Sequence, residues 1–186
     1  MELLILDNYD SFTYNLVHYC EALDINVTVI RNDVLNLDEV KAYNKIILSP
    51  GPHLPKNAGC MMELIERYYL TKPILGVCLG LQALAEFFGG ELYNLDQVKH
   101  GVQEKCKRVG ESQLLNQISS LYTIGLYHSW AVKEPLPNML QLTSKSEEGV
   151  VMSFEHKTLP IFGVQYHPES ILTDEGKQII KNFISL

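Results

Sequence analysis

Cys78 stands between two glycines in the stretch Gly76-Val77-Cys78-Leu79-Gly80. This is a cysteine form of the G-x-S-x-G turn, in which a nucleophile lies where a strand passes into a helix. The free N–H groups and positive dipole end of a helix beginning beside the sulfur would favour thiolate over thiol. A small residue packed in a core would fit the same pattern, so the turn predicts a nucleophile only if a base accompanies it.

His167 is the histidine best placed to be that base. A strand-like run ends at His167-Pro168-Glu169, and residues two apart in an extended chain point to the same side. Pro168 holds His167 extended, so the Glu169 carboxylate could accept an imidazole N–H and fix the ring's tautomer. Three other histidines lie in loops or at strand ends and stay open as alternatives: His53, His100 and His128.

A proline-stiffened loop at 49–59 follows the third strand-like run. Gly51 lies there between Pro50 and Pro52, so its backbone N–H can be aimed outward. We expect the N–H groups of Gly51 and Leu79 to bind a developing oxyanion, and one such donor is typically worth about 10²–10³ in rate. A merely rigid turn is the alternative interpretation.

The elements that must position these residues alternate in the first half of the chain. Strands are predicted at 3–6, 26–30, 45–48 and 73–77, and helices at 11–23, 37–43, 58–70 and 79–88. Strands that are apolar throughout and separated by helices indicate βαβ units and a sheet covered on both faces. We therefore predict an α/β fold with an open, twisted, mostly parallel sheet flanked by helices.

The second half of the chain has more β pattern. Its strand-like segments are LYTIGLYHSWAV, MLQLTSKS, GVVMSFEH and IFGVQY, which predict additional antiparallel strands. An amphipathic helix is predicted at 173–186, with Thr173 as its N-cap and Asp174 and Glu175 in its first turn. No repeat, low-complexity stretch or linker divides the chain, so we predict one domain over 1–186.

Composition limits the function classes. The chain has 186 residues, 46% of them hydrophobic, and a formal charge of −7, which argues against nucleic acid or an anionic membrane as the main partner. No apolar run approaches the ~20 residues of a membrane span and no signal peptide precedes the first strand, so we expect a cytoplasmic protein. The four cysteines are scattered, which favours neither a disulfide framework nor a structural metal.

Together the motifs resemble the class I glutamine amidotransferases of the triad type. They occur in that family's chain order as SPGP, GVCLG, YHS and HPES. Two longer segments, LDNYDSFTYNLV and HPESILTDEGKQIIKNF, resemble the glutaminase subunit of chorismate-using synthases. That group contains anthranilate synthase component II and its relative in aminodeoxychorismate synthesis. The resemblance covers essentially the whole chain.

The resemblance implies a catalytic set. Cys78 would be the nucleophile, His167 the general base and acid, and Glu169 the residue that orients the imidazole. The backbone N–H groups of Gly51 and Leu79 would form the oxyanion hole. No metal and no organic cofactor would be needed, because a covalent intermediate divides amide cleavage into two easier steps.

The resemblance also implies binding surfaces. Gln82 would contact the substrate glutamine, and the backbone at Ser129 and Trp130 would receive its α-carboxylate. A separate chorismate-binding synthase subunit would use the ammonia, with anthranilate favoured as product and aminodeoxychorismate as the alternative. Five residues would lie at the face toward that subunit: Asn8, Tyr9, Asp10, Ser11 and Phe12.

The chain departs from the family pattern at five positions. Leu81, Leu126 and Val102 stand where the family usually has His, Arg and Lys, His53 replaces Gly, and Trp130 replaces Leu. None is a triad position, so the departures bear on partner contacts and activation rather than on the chemistry. Two alternatives stay open: a non-catalytic regulatory or binding relative, and a cysteine hydrolase acting on peptides or other amides.

Overall fold

The computed structural model describes residues 1–186 and contains a nine-stranded sheet, a two-stranded sheet and four α-helices. The strands are β1 (Glu2–Asp7), β2 (Asn26–Arg31), β3 (Lys45–Leu48), β4 (Ile74–Val77), β5 (Leu92–Asn94), β6 (Val102–Arg108), β7 (Leu121–Leu126), β8 (Trp130–Val132), β9 (Leu140–Ser146), β10 (Val151–His156) and β11 (Ile161–Val164). The α-helices are α1 (Thr13–Glu21), α2 (Met61–Tyr68), α3 (Leu79–Phe87) and α4 (Gly176–Ser185). None of these helices combines the length and the apolar character that crossing a membrane requires.

The parallel half of the large sheet has the order β2-β1-β3-β4-β11. Every residue of β3, β4 and β11 is buried, because helices cover both faces. One face packs on α1 and α4, and the other packs on α2 and α3. This confirms the predicted α/β fold, whose signal was the continuous apolar character of the strands.

The remaining strands extend the sheet from β11 in the order β10-β9-β6-β7, and every pair among them is antiparallel. The predicted antiparallel addition is therefore confirmed. Two strands, β5 and β6, were absent from the sequence prediction. β6 has the sequence VQEKCKR, in which only Cys106 is buried, so its polar, solvated face concealed the alternation that identifies a strand.

Two predicted helices differ most from the structure, one in its type and the other in where it begins. The segment Leu37–Ala42 is a short 3₁₀-helix, whose first turn is capped by the Asn36 side chain. The prediction of Thr173 as N-cap is wrong, since α4 begins at Gly176. The Thr173 hydroxyl instead donates to the His167 carbonyl at 2.6 Å and accepts from the Gly125 N–H at 2.9 Å, because the chain there is folded back against β7.

Candidate active site

Cys78 occupies a strained turn between β4 and α3. Its backbone has φ 51° and ψ −101°, a region that costs an L-residue free energy and that persists only where the surroundings enforce it. A Cβ added at Gly76 would lie 2.4 Å from the Gly80 carbonyl, and one at Gly80 would lie 2.5 Å from the Leu48 carbonyl oxygen. Both glycines are therefore required so that the helix start can approach the sheet.

The Cys78 side chain is nearly buried, at 5% exposure. Its N–H donates to the Val164 carbonyl at 2.8 Å, which continues the pairing of β4 with β11. The Gln165 amide Nε2 donates to the Cys78 sulfur at 3.5 Å. Pairing with β11 therefore brings the sulfur beside the segment that carries His167.

His167 and Glu169 form a buried pair, with 2.7 Å between Nδ1 and Oε1. Burial by itself would lower the pKa of His167, but the Glu169 charge, the nearby Cys78 sulfur and the hydrogen bond with Glu169 raise it well above its ordinary value. Nε2 is buried without a hydrogen bond of good geometry, although Cys78 is close enough to contribute to the raised pKa. Such contacts often tighten only when substrate binds. The arrangement favours a charged imidazolium beside the sulfur.

Two aromatic rings pack against the imidazole, one from the segment after β1 and one from the residue after β7. The Phe12 ring lies 5.4 Å and the Tyr127 ring 4.8 Å from the His167 ring, measured between centroids. The two aromatic rings also contact each other at 4.9 Å. The Tyr127 hydroxyl lies 3.1 Å from that of Ser170. His167 is thus restrained by packing as well as by Glu169.

A cavity of about 160 Å³ opens above Cys78. It brings together five residues that the sequence singled out: Gly51, Cys78, Gln82, Ser129 and Trp130. Leu79 is buried and lies against Gly51, since a Cβ on that glycine would come 2.9 Å from Leu79 Cδ2. A larger cleft of about 620 Å³ near Arg108 and Glu155 contains none of these residues, so the smaller cavity is the candidate site.

The segment proposed to face a partner divides between surface and interior. Tyr9 and Ser11 are exposed, and Asp10 and Phe12 are half-buried. Asn8 is 2% exposed, and its N–H and Nδ2 donate to Ser49 Oγ and the Ser49 carbonyl, both at 2.8 Å. Asn8 therefore acts inside the chain, where it holds the loop that carries Gly51.

Two residues near the sulfur were not given roles by the sequence. Gln165 is fully buried, and it lies two residues before His167, so the same alternation along the strand could have revealed it. His128 donates from Nδ1 to the Trp130 carbonyl at 2.9 Å. Burial lowers the pKa of His128 to about 4, so its ring is neutral and unsuited to pair with a thiolate.

The other two alternative histidines do not contact the Cys78 sulfur, and two of the five departures from the family pattern, His53 and Trp130, line the cavity. His53 lines the exposed edge of the cavity, and His100 packs on Tyr127 at 5.8 Å. Leu81 and Leu126 are fully buried in the core. Val102 is 38% exposed and pairs with Leu126, and Trp130 is half-buried in the cavity wall.

Asp10, His167 and Glu169 are the one group of three metal-ligating side chains with ligand atoms close together, within 4.8 Å. The Nδ1 of His167 is already bonded to Glu169, and three protein ligands are fewer than the four that enclose a structural zinc ion. The group is better described as an acid–base pair with a neighbouring carboxylate.

Known proteins are similar to this chain over its whole length. A family model described as glutamine amidotransferase class-I matches residues 4–186. Anthranilate synthase component 2 of Pseudomonas aeruginosa is 42% identical, over 98% of this chain and 94% of that protein. Aminodeoxychorismate synthase component 2 of Escherichia coli is 40% identical, over 98% of each. A crystal structure of a candidate GMP synthase subunit from Thermoplasma acidophilum aligns with a TM-score of 0.90 at 25% identity, over 100% of this chain and 92% of that one.

The family model covers all the elements that build the cavity, and the two synthase relatives match over nearly their full lengths. The chain therefore belongs to the class I glutamine amidotransferase family.

Proposed function

We propose that this chain, acting as a single amidotransferase domain, hydrolyses L-glutamine to glutamate and ammonia with Cys78, His167 and Glu169. One observation carries the proposal: a buried imidazole lies between a carboxylate, at 2.7 Å, and a cysteine held on a strained strand–helix turn. A cysteine kept only for packing would need neither the strain nor the charged neighbour. The same reasoning disfavours a non-catalytic relative.

The reaction proceeds in two steps. The Cys78 sulfur attacks the side-chain amide carbon, and the backbone N–H groups of Gly51 and Leu79 stabilise the oxyanion. His167 gives its proton to the leaving nitrogen, so ammonia departs and a γ-glutamyl thioester remains. His167 then takes a proton from water, whose oxygen attacks the thioester, and glutamate leaves as the sulfur is restored.

The cavity suits a small amide better than a peptide. Clefts for drug-sized ligands measure roughly 300–1,000 Å³, whereas this one measures about 160 Å³. Gln82 uses its amide hydrogens on the Trp130 carbonyl and on Gln165 Oε1, so its own Oε1 remains to accept from the substrate's ammonium group. The backbone at Ser129 and Trp130 lies on the same cavity wall and would receive the α-carboxylate.

The ammonia is proposed to pass to a separate chorismate-binding synthase subunit, in the cytoplasm. In neutral water free ammonia becomes mostly ammonium, which is not a nucleophile, so hydrolysis is useful only when it is coupled to an acceptor. The names of the two synthase relatives support such a partner. Their identities to this chain are nearly equal, so we favour anthranilate as the product on the motif resemblance alone and keep aminodeoxychorismate as the alternative.

The decisive experiment combines the chain with its synthase subunit, chorismate and either glutamine or ammonium. Cys78→Ala should abolish glutamine-dependent synthesis and leave ammonium-dependent synthesis intact, whereas Cys60→Ala, at a half-buried cysteine just before α2, should preserve both. Identification of the aminated product decides between anthranilate and aminodeoxychorismate. Glutamine-dependent synthesis that survives Cys78→Ala would overturn the proposal.

A further inference from the structure

We propose that Gln165 is a further catalytic residue, whose side-chain amide binds the Cys78 sulfur and stabilises it as a thiolate. This inference rests on the proposed function, because it concerns how the nucleophile of that reaction is kept charged. The contact joins Gln165 Nε2 to Cys78 Sγ at 3.5 Å, a distance at which an N–H group donates to sulfur. Gln165 therefore touches the reacting atom itself.

The position of Gln165 is fixed by the sheet. It follows directly after β11, and its N–H donates to the Met152 carbonyl at 2.8 Å. β11 pairs in parallel with β4, with Val164 opposite Val77. The residues that follow these two are Gln165 and Cys78, so the register of the strands sets the amide beside the sulfur.

The direction of the Gln165 amide is set by a chain of hydrogen bonds that begins at a backbone carbonyl. The Trp130 carbonyl can only accept, and Gln82 Nε2 donates to it at 2.8 Å. The same Nε2 also donates to Gln165 Oε1 at 3.2 Å. With Oε1 committed as an acceptor, the NH₂ group of Gln165 is the end that faces Cys78.

This arrangement matters most when the sulfur is charged. A hydrogen bond to an ionised acceptor is roughly twice as strong as one between neutral groups, and a donor within a buried site has no competing water. Gln165 is fully buried. The amide therefore favours the thiolate before attack on glutamine, and again when the thioester breaks and the sulfur leaves.

Gln165 also connects the nucleophile to substrate binding. Gln82 is the residue proposed to contact glutamine, and its amide is held by Gln165 on one side and by the Trp130 carbonyl on the other. Loss of the Gln165 donor should act on reactivity of the sulfur, while loss of its acceptor should act on Gln82 and hence on KM. Two substitutions separate these effects.

Gln165→Met keeps the length of the side chain but removes both donor and acceptor. Gln165→Glu keeps an acceptor for Gln82 and places a carboxylate beside the sulfur. Gln178→Met is a matched control, because Gln178 lies on α4 and its side chain bonds to Asn182. We expect both Gln165 variants to lower kcat for glutamine hydrolysis by the complex, and only Gln165→Met to raise KM as well.

The direct readout is alkylation of Cys78 by iodoacetamide, followed by peptide mass spectrometry between about pH 5 and pH 10. A group that stabilises a thiolate also makes it less nucleophilic: a tenfold increase in the acid dissociation constant of the thiol lowers the rate constant of the thiolate roughly threefold. If Gln165 favours the thiolate about tenfold, Gln165→Met should react roughly threefold more slowly at the acid end and roughly threefold faster at the alkaline end. A merely structural defect would not produce such a crossing of the two profiles.

The outcomes separate this inference from the proposed function. Alkylation profiles of both Gln165 variants that coincide with the parent profile overturn the inference, even if Cys78→Ala abolishes glutamine use. If the alkylation profiles of the variants differ from the parent profile but the parent complex does not hydrolyse glutamine, the contact between Gln165 and Cys78 is supported and the proposed function is overturned. Circular dichroism and co-elution with the synthase subunit report whether each variant is folded and docked. If Gln165→Met is not, the isosteric Gln165→Glu supplies the measurement.

Discussion

Replacement of Glu169 by glutamine tests the electrostatics on which the site depends. The substitution preserves the size of the side chain but removes the charge that faces His167 across 2.7 Å. Both side chains are shielded from solvent, so their contact is a charge-assisted hydrogen bond. Bonds to charged groups contribute about 1.5–3 kcal/mol, which at about 1.4 kcal/mol per factor of ten predicts a loss of roughly 10- to 150-fold in glutamine hydrolysis.

The same substitution should change how stability depends on pH. Because the pKa of His167 is raised in the folded chain, its charged form contributes stability that is fully present below the unfolded value of about 6.5. This contribution is lost as the pH rises through the folded-state pKa. The Glu169 charge is the largest cause that raises this pKa, so the difference in unfolding free energy between parent and Glu169→Gln should be largest below about pH 6.5 and shrink at alkaline pH.

The assay measures glutamate release by the complex across this pH range, together with urea unfolding of the isolated chain. Glu66→Gln is the matched control, since Glu66 is exposed on α2 and should change neither quantity. Co-elution with the synthase subunit reports whether the variant still docks. A Glu169→Gln chain that retains more than half of the parent rate, with the parent's pH dependence of unfolding, would refute this account of the His167–Glu169 pair.

Two further substitutions test the backbone around the cavity. Gly80→Ala places a methyl group 2.5 Å from the Leu48 carbonyl oxygen, so α3 must shift; thermal unfolding should show a loss of about 1–3 kcal/mol, and an unchanged melting temperature would contradict the packing argument. Asn8→Ala removes the side-chain bond to the Ser49 carbonyl, and should lower glutamine hydrolysis by about tenfold, below the 10²–10³ that one oxyanion donor contributes. Alkylation of Cys78 should stay unchanged in this variant, and a parallel loss of alkylation would show that Asn8 acts on the sulfur instead.

Much of the prediction came from rules that involve only residues close together in the sequence. Gly76 was expected from steric crowding in a tight turn, and the 2.4 Å approach of an added Cβ to the Gly80 carbonyl shows that crowding. The 2.5 Å approach at Gly80 is to the Leu48 carbonyl oxygen on β3 and is a tertiary contact. His167 and Glu169 form the expected bond, but the chain there is a tight turn and not the predicted extended segment, since the Ser170 N–H donates to the His167 carbonyl at 3.1 Å. These rules act over two to four residues, so the sequence contains everything they need.

Contacts between residues far apart in the sequence could not be predicted from such local rules. Thr173 has the pattern of an N-cap, but its hydroxyl bonds to the His167 carbonyl and the Gly125 N–H. Asn8 belongs to a polar, aromatic segment of interface-like composition, yet it is buried against Ser49. In each case the side chain could have served a local role, but it forms hydrogen bonds with residues that the packing of distant segments brings close to it.

The sequence by itself determined the chemistry-bearing groups, the strand–helix turn and the α/β class, because sterics and periodicity are local properties of the chain. Only the tertiary structure decided that β11 lies beside β4, with six strands between them in the chain. That pairing brings Cys78 to Gln165 and His167. Strand order depends on how whole layers bury their apolar faces, which no short stretch of residues specifies.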